Sequence, residues 1–239
     1  MQAETRAAIA LGTLHSPGAE SFYRHTRDDF LEAGYAAAPP RIRTALAAEI
    51  DFLRGALAGQ GRVLEIGCGH GRLLEALHDS AREWVGLDLL EGYLRRAQAR
   101  GLARTRLVAG RADALPFQDE AFDAVLCPQA TLGLLGEAKL PAIGEARRVA
   151  RSAGRLVFVV YSEVSVAPRV EWYEEMQRRG LMAPIDWSRS GPELLITLDG
   201  HASECFRRER LEQLFADAGL RARFERLDEI YWAAEARRI

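Results

Sequence analysis

Short apolar runs, each closed by a polar or glycine-containing turn and most followed by a stretch of helical period, recur through the middle of this chain. The first, Val63-Leu64-Glu65-Ile66, runs into Gly67, and Gly71 to Ala81 reads as the helix after it. Trp84 to Asp88, Thr105 to Gly110, Phe122 to Cys127 and Gly154 to Tyr161 repeat the pattern, the last preceded by a helix that carries Arg147, Arg148 and Val149. Strands alternating with helices predict an α/β sheet. Ahead of it, residues 1–60 are helical in pattern, with Ile42, Leu46, Ile50 and Leu53 at near-helical spacing. Behind it, residues 163–204 form an excursion that Pro168, Pro184 and Pro192 break into short pieces. The chain closes with a helix from Arg207 to Ala218, a turn at Gly219 and two strand-like runs, Ala222 to Leu227 and Ile230 to Ala236.

The first turn carries the most chemistry. Gly67, Gly69 and Gly71 alternate between a strand and a helix, where positive φ lets a ligand approach backbone amides that the helix leaves unpaired. A dinucleotide fingerprint would need G-x-G-x-x-G, and its third glycine falls at Arg72. The pattern present is E-x-G-x-G-x-G, and an acid beside the turn suits a ligand with positive charge more than one with phosphates. Asp88 ends the next strand at about the ~20-residue offset of a carboxylate that grips ribose hydroxyls.

From Glu65 to Gly71 the chain resembles motif I of the class I S-adenosylmethionine-dependent methyltransferases, and the likeness extends from Gly61 to Ser162. It implies a Rossmann-like, doubly wound seven-stranded sheet of order 3-2-1-4-5-7-6, with the seventh strand antiparallel. It also implies S-adenosylmethionine as cofactor, with Asp88 on both ribose hydroxyls, Asp113 of Arg111-Ala112-Asp113-Ala114 on the adenine amino group, and the end of the fourth strand beside the reactive methyl. Glu65, Gly67, Cys68, Gly69, Asp88, Leu89, Asp113, Ala114 and Cys127 are then the expected cofactor contacts. The family's Pro-Gly-Gly before the fifth strand is replaced by Ser152-Ala153-Gly154. The implied layout is an N-terminal helical lid at 1–60, a cofactor-binding core at 61–162, a substrate cap at 163–204, and the last helix and edge strands at 205–239.

Acceptor chemistry is less legible, because in-line methyl transfer from a sulfonium needs chiefly positioning. His201, in Leu198-Asp199-Gly200-His201, is the candidate general base. Tyr23, Gln129, Thr131, Tyr161, Trp187 and Arg207 are candidate acceptor-side residues, with Glu163 beside them; Phe22, Phe30 and Tyr35 could belong to the lid. His70 reads as a spacer in the glycine turn, and His15, His25 and His78 have no motif around them. Cys127-Pro128-Gln129-Ala130 replaces the Asn/Asp-Pro-Pro-aromatic motif of enzymes that methylate nucleobase or glutamine nitrogens, and the chain has no asparagine. Acid and amide oxygens that would bind magnesium are missing from that point, so no metal is expected.

A formal net charge of −2 gives no basic field for nucleic acid, and the arginine pairs are scattered. Three cysteines without metal spacing suit a reducing cytosol, and neither a signal segment nor a membrane-length apolar run is found. The expectation is a cytoplasmic enzyme acting on a small-molecule acceptor, as a monomer or homodimer. The alternatives are RNA or protein methylation, a non-catalytic module that binds the nucleoside, and, remotely, a dehydrogenase.

Overall fold

The computed structural model describes residues 19–239; His15 and the start of the N-terminal extension lie outside them. Two short helices, α1 (Ala19–Arg24) and α2 (Phe30–Ala36), lead into α3 (Pro40–Ala56). Pro40 opens α3 at the position where a missing N–H costs nothing. Ile42, Ala45, Leu46 and Leu53 are buried along one stripe, with Ile50 half-buried beside it. Glu49 lies on the same stripe and is fully buried.

The α/β core follows as β1 (Gln60–Ile66), α4 (Arg72–Ala76), β2 (Ala81–Asp88), α5 (Glu91–Ala99), β3 (Thr105–Ala109), β4 (Phe122–Cys127), α6 (Thr131–Leu134), α7 (Lys139–Val149) and β5 (Ala150–Tyr161). After β5 come α8 (Val166–Arg178), a small antiparallel ribbon of β6 (Leu194–Ile196) and β7 (Ala202–Glu204), then α9 (Arg208–Asp217), β8 (Leu220–Leu227) and β9 (Tyr231–Arg238). The main sheet has the order β3-β2-β1-β4-β5-β9-β8, with β9 antiparallel to both neighbours. With the ribbon set aside, this is the expected seven-stranded topology.

Alternate strand residues feed two cores. Val63, Trp84, Ala124, Val157 and Val159 pack on one face with α3, whereas Leu64, Val85, Val125, Leu156 and Phe158 pack on the other with α7 and α9. Both faces are therefore covered, which is why the central strands read as unbroken apolar runs. Glu65 interrupts that rule: it shares the face of Val63 and is buried. From β1 the chain winds outward to β3, then returns to place β4 on the other side of β1. That reversal opens a crevice at the carboxyl ends of β1 and β4, the usual ligand position in such sheets.

Two expectations are corrected. The helix after the glycine turn stops at Ala76 instead of Ala81, and β2 begins at Ala81. His78 Nδ1 lies 2.8 Å from the Glu75 carbonyl oxygen, a local side-chain bond that competes with helical pairing. The segment after β5 is less broken than its prolines suggest. Pro168 sits in the first turn of the 13-residue α8, where its N–H would have no helical acceptor. Trp172 on α8 then donates from Nε1 to the Gly34 carbonyl (2.8 Å), tying this segment to α2.

Candidate active site

A cavity of about 310 Å³ occupies the crevice. Its floor is the glycine turn. The Gly67 and Cys68 amides donate to the Leu87 carbonyl (2.7 and 3.0 Å), and Gly69 N–H donates to Asp88 Oδ2 (2.8 Å), so the turn is bound to the end of β2. Gly67 has φ +76° and Gly69 φ +52°. A Cβ on Gly67 would come within 2.6 Å of the Thr131 side chain, and one on Gly69 within 2.8 Å of Leu31 Cδ1. Only glycine holds this backbone open.

Acids cluster at this end of the cavity. Glu65 lines it, is buried, and leaves Oε2 without a hydrogen-bond partner. Burial pushes its carboxyl well above the usual range, with Glu49 and Asp88 adding to the effect and Arg72 opposing it. Asp88 accepts from the Leu90 amide at Oδ1 (2.9 Å) as well as from Gly69, and burial lifts its pKa too. Asp113 sits at the wall, paired through both oxygens to Arg111 Nε and Nη2 (2.9 Å each) and held below the ordinary range by that pairing. An unpartnered buried carboxylate, a second carboxylate with lone pairs to spare, and a glycine cradle together fit a nucleoside that carries positive charge. Leu89 and Cys68 line the same part.

Aromatic residues dominate the other end. Tyr23, Tyr35, Tyr161, Trp172 and Tyr173 line it together with Met176, Met182 and His201. These residues come from α1, α2, β5, α8, the loop after α8 and the ribbon, so the N-terminal helices and the segment after β5 roof one chamber. Gln129 and Thr131 lie at the junction of the two ends. Gln129 and Ala130 both have positive φ (25° and 57°), a costly backbone for non-glycine residues. Glu49 holds this turn. Its Oε1 accepts from the Gln129 amide (2.9 Å), while Oε2 pairs with Arg72 Nη2 (2.7 Å). The Tyr35 hydroxyl donates to Gln129 Oε1, and Gln129 Nε2 reaches the Tyr161 hydroxyl (3.4 Å).

Of the expected residues, Glu65, Gly67, Cys68, Gly69, Asp88, Leu89, Asp113, Tyr23, Gln129, Thr131, Tyr161 and His201 come together around this cavity. Five others lie elsewhere. Cys127 faces away into the core beneath the sheet, because alternation along β4 sends it there with Val125. Ala114 is exposed beyond the wall. Trp187 is 64% exposed on the loop before the ribbon. Arg207 is exposed and paired with Glu193 (2.8 Å). Glu163 is engaged by Arg226 and by Trp232 Nε1 (3.0 Å) at the edge strands. Conversely, Glu49, Arg72 and Trp172 belong to the site without having been singled out. An acid on the apolar stripe of α3 was the available signal for Glu49.

His201 is buried with Nε2 3.0 Å from the Tyr173 hydroxyl and Nδ1 unpartnered. Burial, reinforced by Arg169, lowers its pKa to about 4. It is therefore a neutral ring at physiological pH and a weak base.

Residues 63–154 match the model of a methyltransferase domain. The chain is 34% identical over 167 residues to the demethylmenaquinone methyltransferase of Renibacterium salmoninarum, covering 69% of this chain and 68% of that protein. It belongs to the class I S-adenosylmethionine-dependent methyltransferases. S-adenosylmethionine is its cofactor. A second relative, the malonyl-[acyl-carrier protein] O-methyltransferase of Methylococcus capsulatus, is 38% identical over 117 residues, 46% of this chain and 42% of that one. Among solved structures, the DhpI–SAM–HEP complex superposes with a TM-score of 0.67 at 20% identity, over 94% of this methyltransferase and 99% of DhpI. The 1,6-didemethyltoxoflavin N1-methyltransferase of Burkholderia thailandensis superposes at 0.58 and 17% identity, over 80% and 76% of the two chains. These structures share the fold.

Proposed function

We propose that this methyltransferase acts on a small, largely apolar, planar acceptor, held in the aromatic end of the cavity beneath α1, α2 and α8. The observation that carries the reading is that one cavity is lined both by the glycine turn with its acids and by aromatic residues of the added helices. Rings and thioethers bury a flat molecule well while leaving its orientation to a few polar groups, here Gln129, Tyr161, Tyr173 and His201. A demethylmenaquinone methyltransferase is among the relatives, and an enzyme with bound 1,6-didemethyltoxoflavin is among the structures that share the fold.

When bound, S-adenosylmethionine supplies an electrophilic methyl on a sulfonium. Glu65 would offer a counter-charge to the positively charged part of the cofactor, Asp88 would accept from the ribose hydroxyls, and Asp113 would meet the adenine edge. The 129–130 turn, braced by Glu49 and Tyr35, holds Gln129 and Thr131 in the cavity wall, where they would face the acceptor. Alignment there can contribute ~7–11 kcal/mol to the rate, so a strong base is not demanded. His201 acts as a neutral hydrogen-bonding partner through Tyr173, with base catalysis confined to acceptors that are already acidic.

No three His, Cys, Asp or Glu side chains converge as a metal site among the described residues, and the reading calls for no metal. No described helix is long and apolar enough to cross a membrane. Three buried cysteines, none in a disulfide, support a cytoplasmic setting. The test is turnover. Purified protein with methyl-labelled cofactor is offered hydroxylated aromatics, aliphatic amines, RNA and a lysate protein fraction. Label in the aromatics alone supports the reading; label in RNA or protein replaces it.

A further inference from the structure

Arg169 on α8 is fully buried and is not engaged by the mechanism above. Its Nη2 donates to the Ser203 carbonyl (2.7 Å), the guanidinium also makes polar contact with the Tyr173 hydroxyl and the Cys205 thiol, and Nε and Nη1 lack a well-formed hydrogen bond. The guanidinium lies over the Tyr161 ring at 4.3 Å and the Tyr173 ring at 5.8 Å from their centroids. Those two rings and Ser203 form part of the cavity wall, so Arg169 stands directly behind the aromatic end.

A buried guanidinium normally has a carboxylate beside it, because an unpaired charge in a low-dielectric interior is costly. Arg72 obeys this rule with Glu49. No carboxylate among the described residues pairs with Arg169; one carbonyl, two ring faces and the neutral Tyr173 and Cys205 side chains offset only part of the cost. Among the cavity's own acids, Asp88 is engaged by the Gly69 and Leu90 amides and Asp113 by Arg111, and no described ion pair joins either of them or Glu65 to Arg169. Asp199 is the acid that bears on His201, and it is held by the Ala183 amide (2.8 Å) and the Thr197 hydroxyl (2.5 Å). Its pull on His201 is smaller than that of Arg169, so the net field at this end disfavours a proton.

We propose that the acceptor is an anion, an aromatic or conjugated molecule bearing an ionised oxygen or carboxylate, and that Arg169 is its counter-charge, acting through the Tyr161 and Tyr173 rings. The inference rests on the methyl-acceptor reading above. It concerns the charge that the chamber selects, whichever atom receives the methyl group. Arg169 is a positioning residue, since it is separated from the cavity by the rings on which it stacks.

The experiment uses three probes of one shape and different charge: 1-naphthoate, 1-naphthalenemethanol and 1-naphthylmethylammonium. Each is titrated calorimetrically into the protein saturated with S-adenosylhomocysteine. The expected result is naphthoate binding about tenfold or more tighter than the neutral alcohol, with the ammonium weakest. Arg169→Met is expected to erase the preference while S-adenosylhomocysteine affinity, read at the other end of the cavity, is retained, and Arg169→Lys to restore part of it. A loss due only to misfolding would remove binding of all three probes and of S-adenosylhomocysteine, and the wild-type ranking stands without any variant. Equal binding of the three probes, or preference for the ammonium, overturns the inference and leaves the methyltransferase reading intact. Failure of every probe to bind the S-adenosylhomocysteine complex overturns the inference together with the planar-acceptor reading.

Discussion

Removing the Asp88 carboxylate should weaken binding of S-adenosylmethionine and S-adenosylhomocysteine alike. Asp88 Oδ2 accepts from the Gly69 N–H at 2.8 Å and Oδ1 from the Leu90 N–H at 2.9 Å, with the Leu89 amide also bearing on the carboxylate, and its four lone-pair sites leave capacity for a ribose hydroxyl. Hydrogen bonds to a charged acceptor contribute about 1.5–3 kcal/mol each, and part of that is recovered by water when the side chain is cut back. Asp88→Ala is therefore expected to cost roughly 2 kcal/mol or more of binding, about thirtyfold in Kd. Asparagine is no cleaner a probe, because its NH₂ would face one of the amide donors. Calorimetric titration with both nucleosides gives the decisive reading, since they share the ribose and differ in the sulfonium. Unchanged affinity would refute the placement of the ribose, and weakening confined to S-adenosylmethionine would show that Asp88 answers the positive charge instead.

Cofactor binding should release protons, because burial holds Glu65 well above the carboxylate range and a cationic ligand favours its ionised form. Affinity then rises with pH, titrations in buffers of different ionisation enthalpy report the release, and Glu65→Gln abolishes it; proton uptake would contradict the role. Glu49→Ala strands the Arg72 guanidinium and the Gln129 amide and should destabilise the fold by about 3–5 kcal/mol, read by urea unfolding. A loss below about 1 kcal/mol would mean that the pair is open to water. His201 is depressed to about 4, so its contribution is fully present above the unfolded value near 6.5 and is lost as pH falls through the folded value. Between pH 7 and pH 5 this amounts to about 2 kcal/mol, visible as the difference in pH dependence between wild type and His201→Gln; matching curves would place His201 in water.

The core and the cofactor end were legible in the chain because their determinants are local. A strand buried on both faces must be apolar throughout, so β1, β2, β4 and β5 announce themselves, and Glu65 stands out by breaking the rule. Gly67 and Gly69 are dictated by a backbone of positive φ and by the space that Thr131 and Leu31 occupy. Asp88 ends β2 at the offset expected for it, and Asp113, expected from the family resemblance, lies in the loop after β3; both line the cavity. The acceptor end carries no such local signature. Trp187 and Arg207 were drawn from the right segments but point to solvent, and Cys127 follows strand alternation into the opposite core. Glu49 and Arg169 are charges whose surroundings exist only once α3 and α8 pack over the sheet. One meets an arginine and the Gln129 amide there, the other two tyrosine rings and a carbonyl. Periodicity and turn chemistry act over a few residues, whereas the electrostatics of a chamber assembled from five elements depend on which distant side chains share one low-dielectric space, and that only the tertiary structure decides.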